Sequence, residues 1–425
     1  MRKHWLSTLI GIVGMAFALL ATPASADAVS DFYSGKTVTI YVGYSPGGGY
    51  DTYARTVARH IGKHIPSNPS VIVKNRPGAG SMLLTNELYN ILPKDGTVIG
   101  IVARGMPMEP LFGTEEAKFD PQKINWIGSA NNEVSVCVSW HTSPVKKWQD
   151  LLTTPLIVGG TGPGADTDTF PRIMNNVLGT KLKLVTGYPG GNDVLLAMER
   201  GEVEGRCGYS WSSAKSRKAD WLKEGKLNIL IQMSTGKHED LPDVPLIMDA
   251  AKTQADKDAL ELIFARQEFG RPFLAPPDVP ADRVEALRTA FMDTMKDPEF
   301  LADAEKQDLE VNPVSGQRVG ELIAKLYKAP KDVVQLAKEA SEKEGTLEVT
   351  EAKVELMKIS GAVTKVDDGG RAIHIGDKSA AISGSRTELT IGGQPGDRAN
   401  ITVGMTCEAE LTGEDGSEAK MVSCK

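Results

Sequence analysis

The sequence predicts an α/β protein of two lobes, followed by a small all-β module. Three observations carry this prediction. Strand patterns alternate with amphipathic helix patterns over most of the chain, and a second unit of this kind begins near Asn131. After about Gly345, short alternating runs with turn signals replace the helices. Strand–helix alternation is typical of a parallel sheet covered by helices, and closely spaced short strands are typical of a β-sheet module.

The amino terminus has the pattern of an export signal. A short basic segment precedes the apolar run Leu9–Leu20, and Ala24-Ser25-Ala26 follows as an A-x-A cleavage motif. The run is too short to span a bilayer. We therefore expect a signal peptide over residues 1–26, cleavage before Asp27 and a periplasmic location. An uncleaved amino-terminal anchor is the alternative.

Both units repeat one device, a strand followed by a glycine-rich loop and a helix. In the first unit, strand patterns at 37–42, 70–75 and 97–102 alternate with helix patterns. In the second unit, the loops GTGPGADTD and GYPGGND each follow a strand pattern. The proline-rich segment 271–280 is predicted to cross back, and helix patterns follow it up to residue 343. The chain should therefore visit the first lobe twice.

This order gives a division of the chain into domains. Lobe 1 is predicted to be discontinuous, over residues 27–129 and 269–345, with lobe 2 over 130–268 between its parts. The all-β module should occupy 346–425. Two lobes joined by crossing segments predict closure by a hinge around a ligand.

The four cysteines fit an oxidising compartment. They allow three pairings, of which Cys137–Cys207 with Cys407–Cys424 keeps each bridge local; buried free thiols are the alternative. A bridge that closes a loop of about 70 residues stabilises by roughly 4 kcal/mol in the chain-entropy model. No Cys-x-x-Cys pair occurs, and we expect neither a metal site nor a cofactor. The net charge of −7, without a basic stripe, argues against nucleic-acid binding.

The loop GYSPGGGYD, from Gly43 to Asp51, contains a G-x-S-x-G match to the nucleophile elbow of serine hydrolases. That elbow needs a backbone N–H immediately after the nucleophile, and here Ser45 is followed by Pro46, which has none. A P-loop would end in Gly-Lys-Ser/Thr, and a dinucleotide fingerprint would need G-x-G-x-x-G. Neither occurs in this loop, so catalysis and phosphate binding are disfavoured.

An anion clamp is the chemistry that remains for these loops. The first N–H groups of a helix lack partners within the helix and carry partial positive charge, so a carboxylate binds there without any lysine or arginine. The alternative is that the loops are only tight turns, with Asp51 as an N-cap. Several such loops in two units favour a shared cleft, because ligands of open α/β sheets bind outside the carboxyl ends of the strands.

These segments resemble the periplasmic substrate-binding proteins of tripartite tricarboxylate transporters. The resemblance rests on TVTIYVGYSPGGGYD, VIVKNRPGAGS and PKDGTVIGIV in the first unit, and on LIVGGTGPGADTDTF, GYPGGNDVLLAMERGEVEG and NILIQMSTGKHEDLPDVPLIMD in the second. It covers about Asp31 to Ser341 and leaves the all-β module outside. It implies a type-II periplasmic-binding fold without enzymatic activity, which passes a small carboxylate to membrane permease subunits.

The resemblance also implies which residues bind the carboxylate, through backbone amides and ordered waters. In lobe 1 these are Tyr44, Gly47, Gly48, Asp51, Ala79, Gly80 and Ser81. In lobe 2 they are Thr161, Gly164, Ala165, Asp166, Thr167, Gly191, Asn192 and Asp193. From their positions in the sequence, Tyr188, Arg206 and Trp211 are candidates to face the cleft or to pack in the core.

We therefore expect a monomeric receptor that captures a carboxylate and delivers it to a transporter. A sensor or scaffold of the same fold, acting with a membrane partner, is the second hypothesis. An exported hydrolase that uses Ser45 is the third.

Overall fold

The computed structural model describes residues 24–343, 345–352, 357–383, 387–411, 416 and 419–425. Most of the predicted signal peptide lies outside these residues, so its cleavage stays a prediction. No helix within the described ranges is both long and apolar enough to cross a membrane.

Strands and helices alternate in the first part of the chain. In order they are α1 (Ala24–Tyr33), β1 (Thr37–Val42), α2 (Gly49–Ile61), β2 (Ser70–Asn75), α3 (Met82–Asn90), β3 (Val98–Ile101), α4 (Glu109–Phe112) and β4 (Asn125–Ser129). The first helix pattern of the sequence coincides with α2, whose apolar residues Ala54, Val57 and Ile61 recur at helical spacing and are buried. Full burial of a valine or isoleucine side chain contributes about 1.5–3 kcal/mol.

The middle of the chain forms a second alternating unit. Its elements are β5 (Ser135–Trp140), β6 (Leu156–Gly159), α5 (Asp166–Ile173), β7 (Leu182–Thr186), α6 (Gly191–Glu199), β8 (Gly205–Ser210), α7 (Trp211–Arg217), α8 (Ala219–Lys223), β9 (Leu227–Met233), α9 (Ile247–Ala250) and α10 (Gln254–Phe264).

The remaining elements return to the first sheet and then form the module. They are β10 (Pro272–Ala275), α11 (Ala281–Thr294), α12 (Pro298–Glu305), β11 (Val314–Ser315), α13 (Gly316–Leu326), α14 (Lys331–Glu342), β12 (Glu348–Glu351), β13 (Met357–Asp367), β14 (Ala372–Ile375), β15 (Lys378–Ala381), β16 (Glu388–Ile391), β17 (Gln394–Pro395), β18 (Thr406–Leu411) and β19 (Ala419–Cys424).

Each lobe is built on one sheet. The strand order is β11-β4-β10-β3-β1-β2 in the first sheet and β12-β7-β6-β8-β5-β9 in the second. Both sheets are mixed rather than parallel, because β10 runs antiparallel to β3 and β4, and β5 runs antiparallel to β8 and β9. The segment 271–280, predicted only to cross between lobes, therefore also supplies a strand of the first sheet.

The register brings the glycine loops to one edge of each sheet. Val42 of β1 pairs with Asn75 of β2 and with Ile101 of β3, so the three strands end level with one another. In the second sheet, Gly159 of β6 pairs with Val185 of β7. The loops that follow these strands therefore emerge side by side.

The end of the second lobe differs from the predicted division. Helix α14 packs against α5 and α10, and β12 pairs with β7 as a further strand of the second sheet. Both elements lie in residues that the sequence assigned to lobe 1 or to the module. We therefore propose that residues 331–352 belong with the second lobe, and that the module begins near Met357.

The module is an antiparallel sheet for most of its width, with the order β15-β14-β13-β18-β19-β16-β17. Cys407 of β18 and Cys424 of β19 are direct cross-strand partners and form a disulfide. Cys137 of β5 and Cys207 of β8 form the other one. The local pairing of the four cysteines is thus confirmed, and it leaves no free cysteine.

Candidate functional site

The loop edges of the two sheets face each other. Ser45 of the first lobe donates its backbone N–H to Pro189 O of the second lobe at 3.2 Å. Gly80 N donates to Thr161 O at 3.0 Å, and Arg104 Nη2 donates to Ser210 Oγ at 2.5 Å. These contacts hold the lobes closed on one another, with the predicted glycine loops at their junction.

Three helices from the two lobes begin at this junction. Helix α2 of the first lobe begins at Gly49, and α5 and α6 of the second begin at Asp166 and Gly191. None of the three has a side-chain N-cap hydrogen bond. At the start of α6 the Asp193 carboxylate accepts backbone N–H groups of Gly190 and Asp193, so the first N–H groups of α2 and α5 are the ones available to an anion.

A cavity of about 40 Å³ lies between these helix starts. Its walls come from both lobes and from Arg271, the first residue of the crossing segment 271–280. They are mostly backbone, hydroxyl and guanidinium groups. They are Tyr44, Gly48, Gly49, Tyr50, Arg104, Thr161, Ala165, Asp166, Thr167, Gly191, Arg206, Gly208, Ser210, Ser213 and Arg271. About 10–15 Å³ admits one water, so this space is narrow while the lobes are in contact. A small acid therefore requires the lobes to separate before it can enter.

Gly49 allows the two lobes to approach this closely. A Cβ atom at this position would lie 2.1 Å from Ser213 Oγ and 3.1 Å from Arg271 Nη2. Glycine is thus the residue that lets the start of α2 contact the opposite lobe.

Guanidinium groups dominate the electrostatics of the cavity. Arg104, Arg206 and Arg271 line it, and Arg266 is buried behind it. Asp166 lies 3.2 Å from Arg104 and 3.4 Å from Arg266, and Glu133 lies 3.1 Å from Arg271.

Arg206 is held differently from the other three arginines. Its Nη1 donates to Gly191 O at 3.0 Å, and its Cζ lies 4.4 Å from the centre of the Tyr209 ring. Burial lowers the pKa of Arg206 to about 10, against a smaller opposing effect of Tyr209. The guanidinium is therefore still charged near neutral pH, inside a region that disfavours charge.

Seven of the predicted ligand-binding residues line the cavity. They are Tyr44, Gly48, Thr161, Ala165, Asp166, Thr167 and Gly191. Tyr44 donates its hydroxyl to Gly80 O at 3.3 Å and stacks on Tyr50, with ring centres 4.9 Å apart.

The other predicted residues lie around the cavity rather than on its wall. Ala79, Gly80 and Ser81 form a turn that packs against residues 161–163, and Gly164 packs against Met106 and Glu109. Gly47 lies near Asn192 across the junction.

Asp51 holds the first loop and does not line the cavity. Its carboxylate accepts hydrogen bonds from Gly47 N at 2.9 Å, Asn75 Nδ2 at 2.8 Å and Arg55 Nε at 2.9 Å. These donors occupy both oxygens, so the negative charge is compensated within the first lobe. We propose that Asp51 shapes the glycine loop and does not contact the ligand.

Ser45 is part of the junction between the lobes. Its hydroxyl donates to Asp193 Oδ2 at 2.6 Å and to Asn192 Oδ1 at 3.3 Å. Burial raises the pKa of Asp193, although the Ser45 hydrogen bond opposes the shift. The hydrogen bonds of the Ser45 hydroxyl within the described residues include no histidine, so the arrangement needed to activate a serine nucleophile is not formed there.

Sequence reasoning overlooked the arginines Arg104, Arg266 and Arg271. Arg104 comes three residues after the end of β3, and Arg271 stands immediately before β10. A charged residue next to a strand that is apolar throughout could have indicated that Arg104 and Arg271 are buried for a functional reason. Of the three residues left undecided, Arg206 lines the cavity. Tyr188 and Trp211 are buried in the second lobe, where Trp211 Nε1 donates to Asp240 Oδ2 at 2.9 Å.

Comparison with known proteins assigns the chain to a family. The model of the tripartite tricarboxylate transporter family receptor matches residues 53–338, more than half of the chain. The chain belongs to the tripartite tricarboxylate transporter receptor family. A protein from Cupriavidus necator, described as a UPF0065 protein in the gbd 5′ region, is 26% identical over 346 residues. That alignment covers 79% of this chain and 97% of the relative.

Solved structures show that this receptor family member has the predicted two-lobed periplasmic-binding fold. The periplasmic binding protein BugD superposes with a TM-score of 0.59 at 18% identity, over 74% of this chain and 99% of BugD. MatC from Rhodopseudomonas palustris, solved with bound malate, superposes with a TM-score of 0.56 at 18% identity, over 72% of this chain and 98% of MatC. Rpa4515 of R. palustris, solved with adipate, superposes with a TM-score of 0.56 at 17% identity, over 71% of this chain and 97% of Rpa4515.

Proposed function

We propose that the chain is a periplasmic receptor that captures a small organic carboxylate between its lobes and delivers it to a tripartite tricarboxylate-type permease. The observation that carries the proposal is the convergence of two helix amino termini without side-chain caps, α2 of the first lobe and α5 of the second, on one cavity. An anion placed there accepts N–H groups from both lobes at once, so its binding favours closure. A closed receptor presents a different surface to a permease from an open one.

The proposed contacts follow from the wall of the cavity. The starts of α2 at Gly49 and of α5 at Asp166 supply backbone N–H groups from opposite sides. Tyr44, Thr161 and Thr167 supply hydroxyl groups near them. Malate and adipate, the ligands of MatC and Rpa4515, are both small dicarboxylic acids. This supports a carboxylate as the ligand class of this chain.

Location and partners are part of the same proposal. The amino-terminal export pattern and the periplasmic proteins of the family support a mature chain that starts near Asp27. The amino-terminal sequence of the exported protein tests this. We propose a monomer that meets the permease subunits. Because the module lies outside the family match at residues 53–338, a sensor or scaffold role is the second candidate. Capture of a membrane sensor instead of a permease by the exported protein would favour that role.

Isothermal titration against organic acids tests the ligand class. We expect at least one small carboxylate to bind with one site per chain, and its uncharged amide or ester to bind much more weakly. At 100 times its dissociation constant, the acid should raise the free energy of unfolding by roughly 2.7 kcal/mol. Absence of binding across aliphatic and aromatic mono-, di- and tricarboxylates would refute the receptor proposal.

A further inference from the structure

The four arginines around the cavity are not balanced by the carboxylates that contact them. Asp166 is shared between Arg104 and Arg266, and Glu133 contacts Arg271. The ion pairs found within the described part of the chain include none with Arg206. Arg104, Arg266 and Arg271 each contact a carboxylate, which leaves Arg206 as the guanidinium without a carboxylate partner among these residues. Buried charges without partners are costly, so a site of this kind is typical of one completed by a ligand.

Two further buried carboxyls nearby do not serve as partners of Arg206. Burial raises the pKa of Glu109, whose Oε2 accepts from Thr114 Oγ1 at 2.8 Å. Burial also raises the pKa of Asp168, whose Oδ1 accepts from Gly162 N at 2.9 Å. Neither group forms an ion pair with the four arginines within the described residues, although Glu109 and Arg266 lie close enough for each to favour the charge of the other.

Unused hydrogen-bond donors point to the same place. Nε of Arg206 and Nε of Arg271 are buried without a hydrogen-bond partner, and both side chains line the cavity. Arg271 is 1% exposed. Its Nη groups are held by Ser210 and Ser213 at 3.1 and 2.8 Å, so its guanidinium plane is fixed. A buried donor left unpaired costs about 1–3 kcal/mol, which a ligand oxygen would recover.

We propose that Arg206 is the specificity-determining residue of this site, and that it favours a dicarboxylate over a monocarboxylate by pairing with the second carboxylate of the ligand. One carboxylate binds at the starts of α2 and α5, and the second takes Arg206 as its counter-ion. This inference rests on the proposed function and narrows its ligand class. A site built to pair with a charged group rejects an analogue that lacks this group, because the site's own buried charge then stays unpaired.

The test compares each diacid with its own monoamide. Succinate, glutarate and adipate, each with its monoamide, are titrated into the wild-type protein and into Arg206→Gln, Arg206→Lys and Arg200→Gln. Each monoamide keeps the length and shape of its diacid and removes one negative charge. Arg200 serves as the control because it lies in the same lobe with its side chain 67% exposed.

We expect the wild type to bind its preferred diacid at least about 30-fold more tightly than the monoamide. Arg206→Gln should weaken the diacid by roughly 100-fold, which corresponds to about 2.7 kcal/mol, and should leave the monoamide nearly unchanged. Arg206→Lys should be intermediate, because lysine keeps the charge but loses the planar set of donors. Arg200→Gln should match the wild type.

The outcomes separate the inference from the function on which it rests. If no acid binds the wild type, the proposed function itself fails. If the wild type binds diacid and monoamide equally well, the dicarboxylate inference fails while the receptor function stands. The same conclusion follows if Arg206→Gln weakens both ligands by one common factor. The ratio of the diacid affinity to the monoamide affinity is measured on the wild type alone. Poor folding of a variant therefore does not affect this part of the test.

Discussion

Replacing Gly105 with alanine is expected to weaken carboxylate binding by at least about 100-fold. Gly105 has ordinary right-handed backbone angles, φ −76° and ψ −21°, so alanine fits its own lobe without strain. In the closed protein, however, the new Cβ would lie 2.2 Å from Gly164 O of the second lobe and 2.5 Å from Arg266 Nη1. Because Gly164 O belongs to the backbone, the overlap is relieved only by separating the lobes. The ligand then loses one of its two walls.

Gly320→Ala is the matched control for this prediction. Gly320 lies inside α13, and a Cβ there would meet nothing within 4 Å. Alanine should bind ligand as the wild type does and should stabilise the helix slightly, since glycine costs about 1 kcal/mol in a helix interior. Titration of both variants with the best acid from the panel makes the comparison. Wild-type affinity in Gly105→Ala would show that binding does not require the closed arrangement.

Glu133→Ala is expected to lower the free energy of unfolding by roughly 3–5 kcal/mol. Glu133 lies between β4 and β5, where the chain passes from the first sheet to the second, and its fully buried carboxylate lies 3.1 Å from the guanidinium of Arg271, at the start of the crossing segment 271–280. It also accepts from Ser212 Oγ at 2.5 Å. Alanine would leave the Arg271 guanidinium buried without this carboxylate. It would also remove a contact between the two segments that join the lobes. Denaturation by guanidinium chloride, followed by circular dichroism, measures the change.

Glu348→Ala provides the comparison with an exposed ion pair. Glu348 of β12 lies 2.7 Å from Lys183 of β7, and its side chain is 61% exposed. Exposed pairs contribute between 0 and about 1 kcal/mol, so this variant should unfold nearly as the wild type does. Equal, small losses in both variants would mean that the Glu133–Arg271 pair does not hold the crossing segments together.

The parts of the fold that depend on local sequence could be predicted. Strand patterns such as TVTIYV coincide with β1, and the face at Ala54, Val57 and Ile61 is the buried face of α2. The glycine loops lie at the junction of the lobes because the level ends of parallel strands bring them there. Local cysteine pairing also followed, since each pair lies within one sheet.

The ion pairs of the site could not be predicted, because they join residues far apart in the chain. Arg104 contacts Asp166, and Arg271 contacts Glu133, across sequence separations that no periodicity records. The site predicted from the loops consisted of backbone N–H groups alone, and it therefore omitted these guanidinium groups. The strand Pro272–Ala275 was missed for another reason. Its surrounding prolines indicate a crossing segment, whereas its pairing with β3 and β4 depends on tertiary structure.

Asp51 and β12 are two further features whose positions the sequence alone did not predict. Asp51 stands beside the glycines, which suggested ligand contact, yet its oxygens are taken by Gly47, Asn75 and Arg55. Strand β12 is exposed along its whole length, so no hydrophobic alternation marks the sheet to which it belongs. Both assignments depend on neighbours that only the folded chain supplies.

A crystal structure of the protein with the tightest-binding acid of the panel tests the central claim most directly. We expect one acid molecule between the lobes, with a carboxylate on the backbone N–H groups at the starts of α2 and α5, near Gly49 and Asp166. Density for the acid at another surface, with this junction closed and empty, would contradict it.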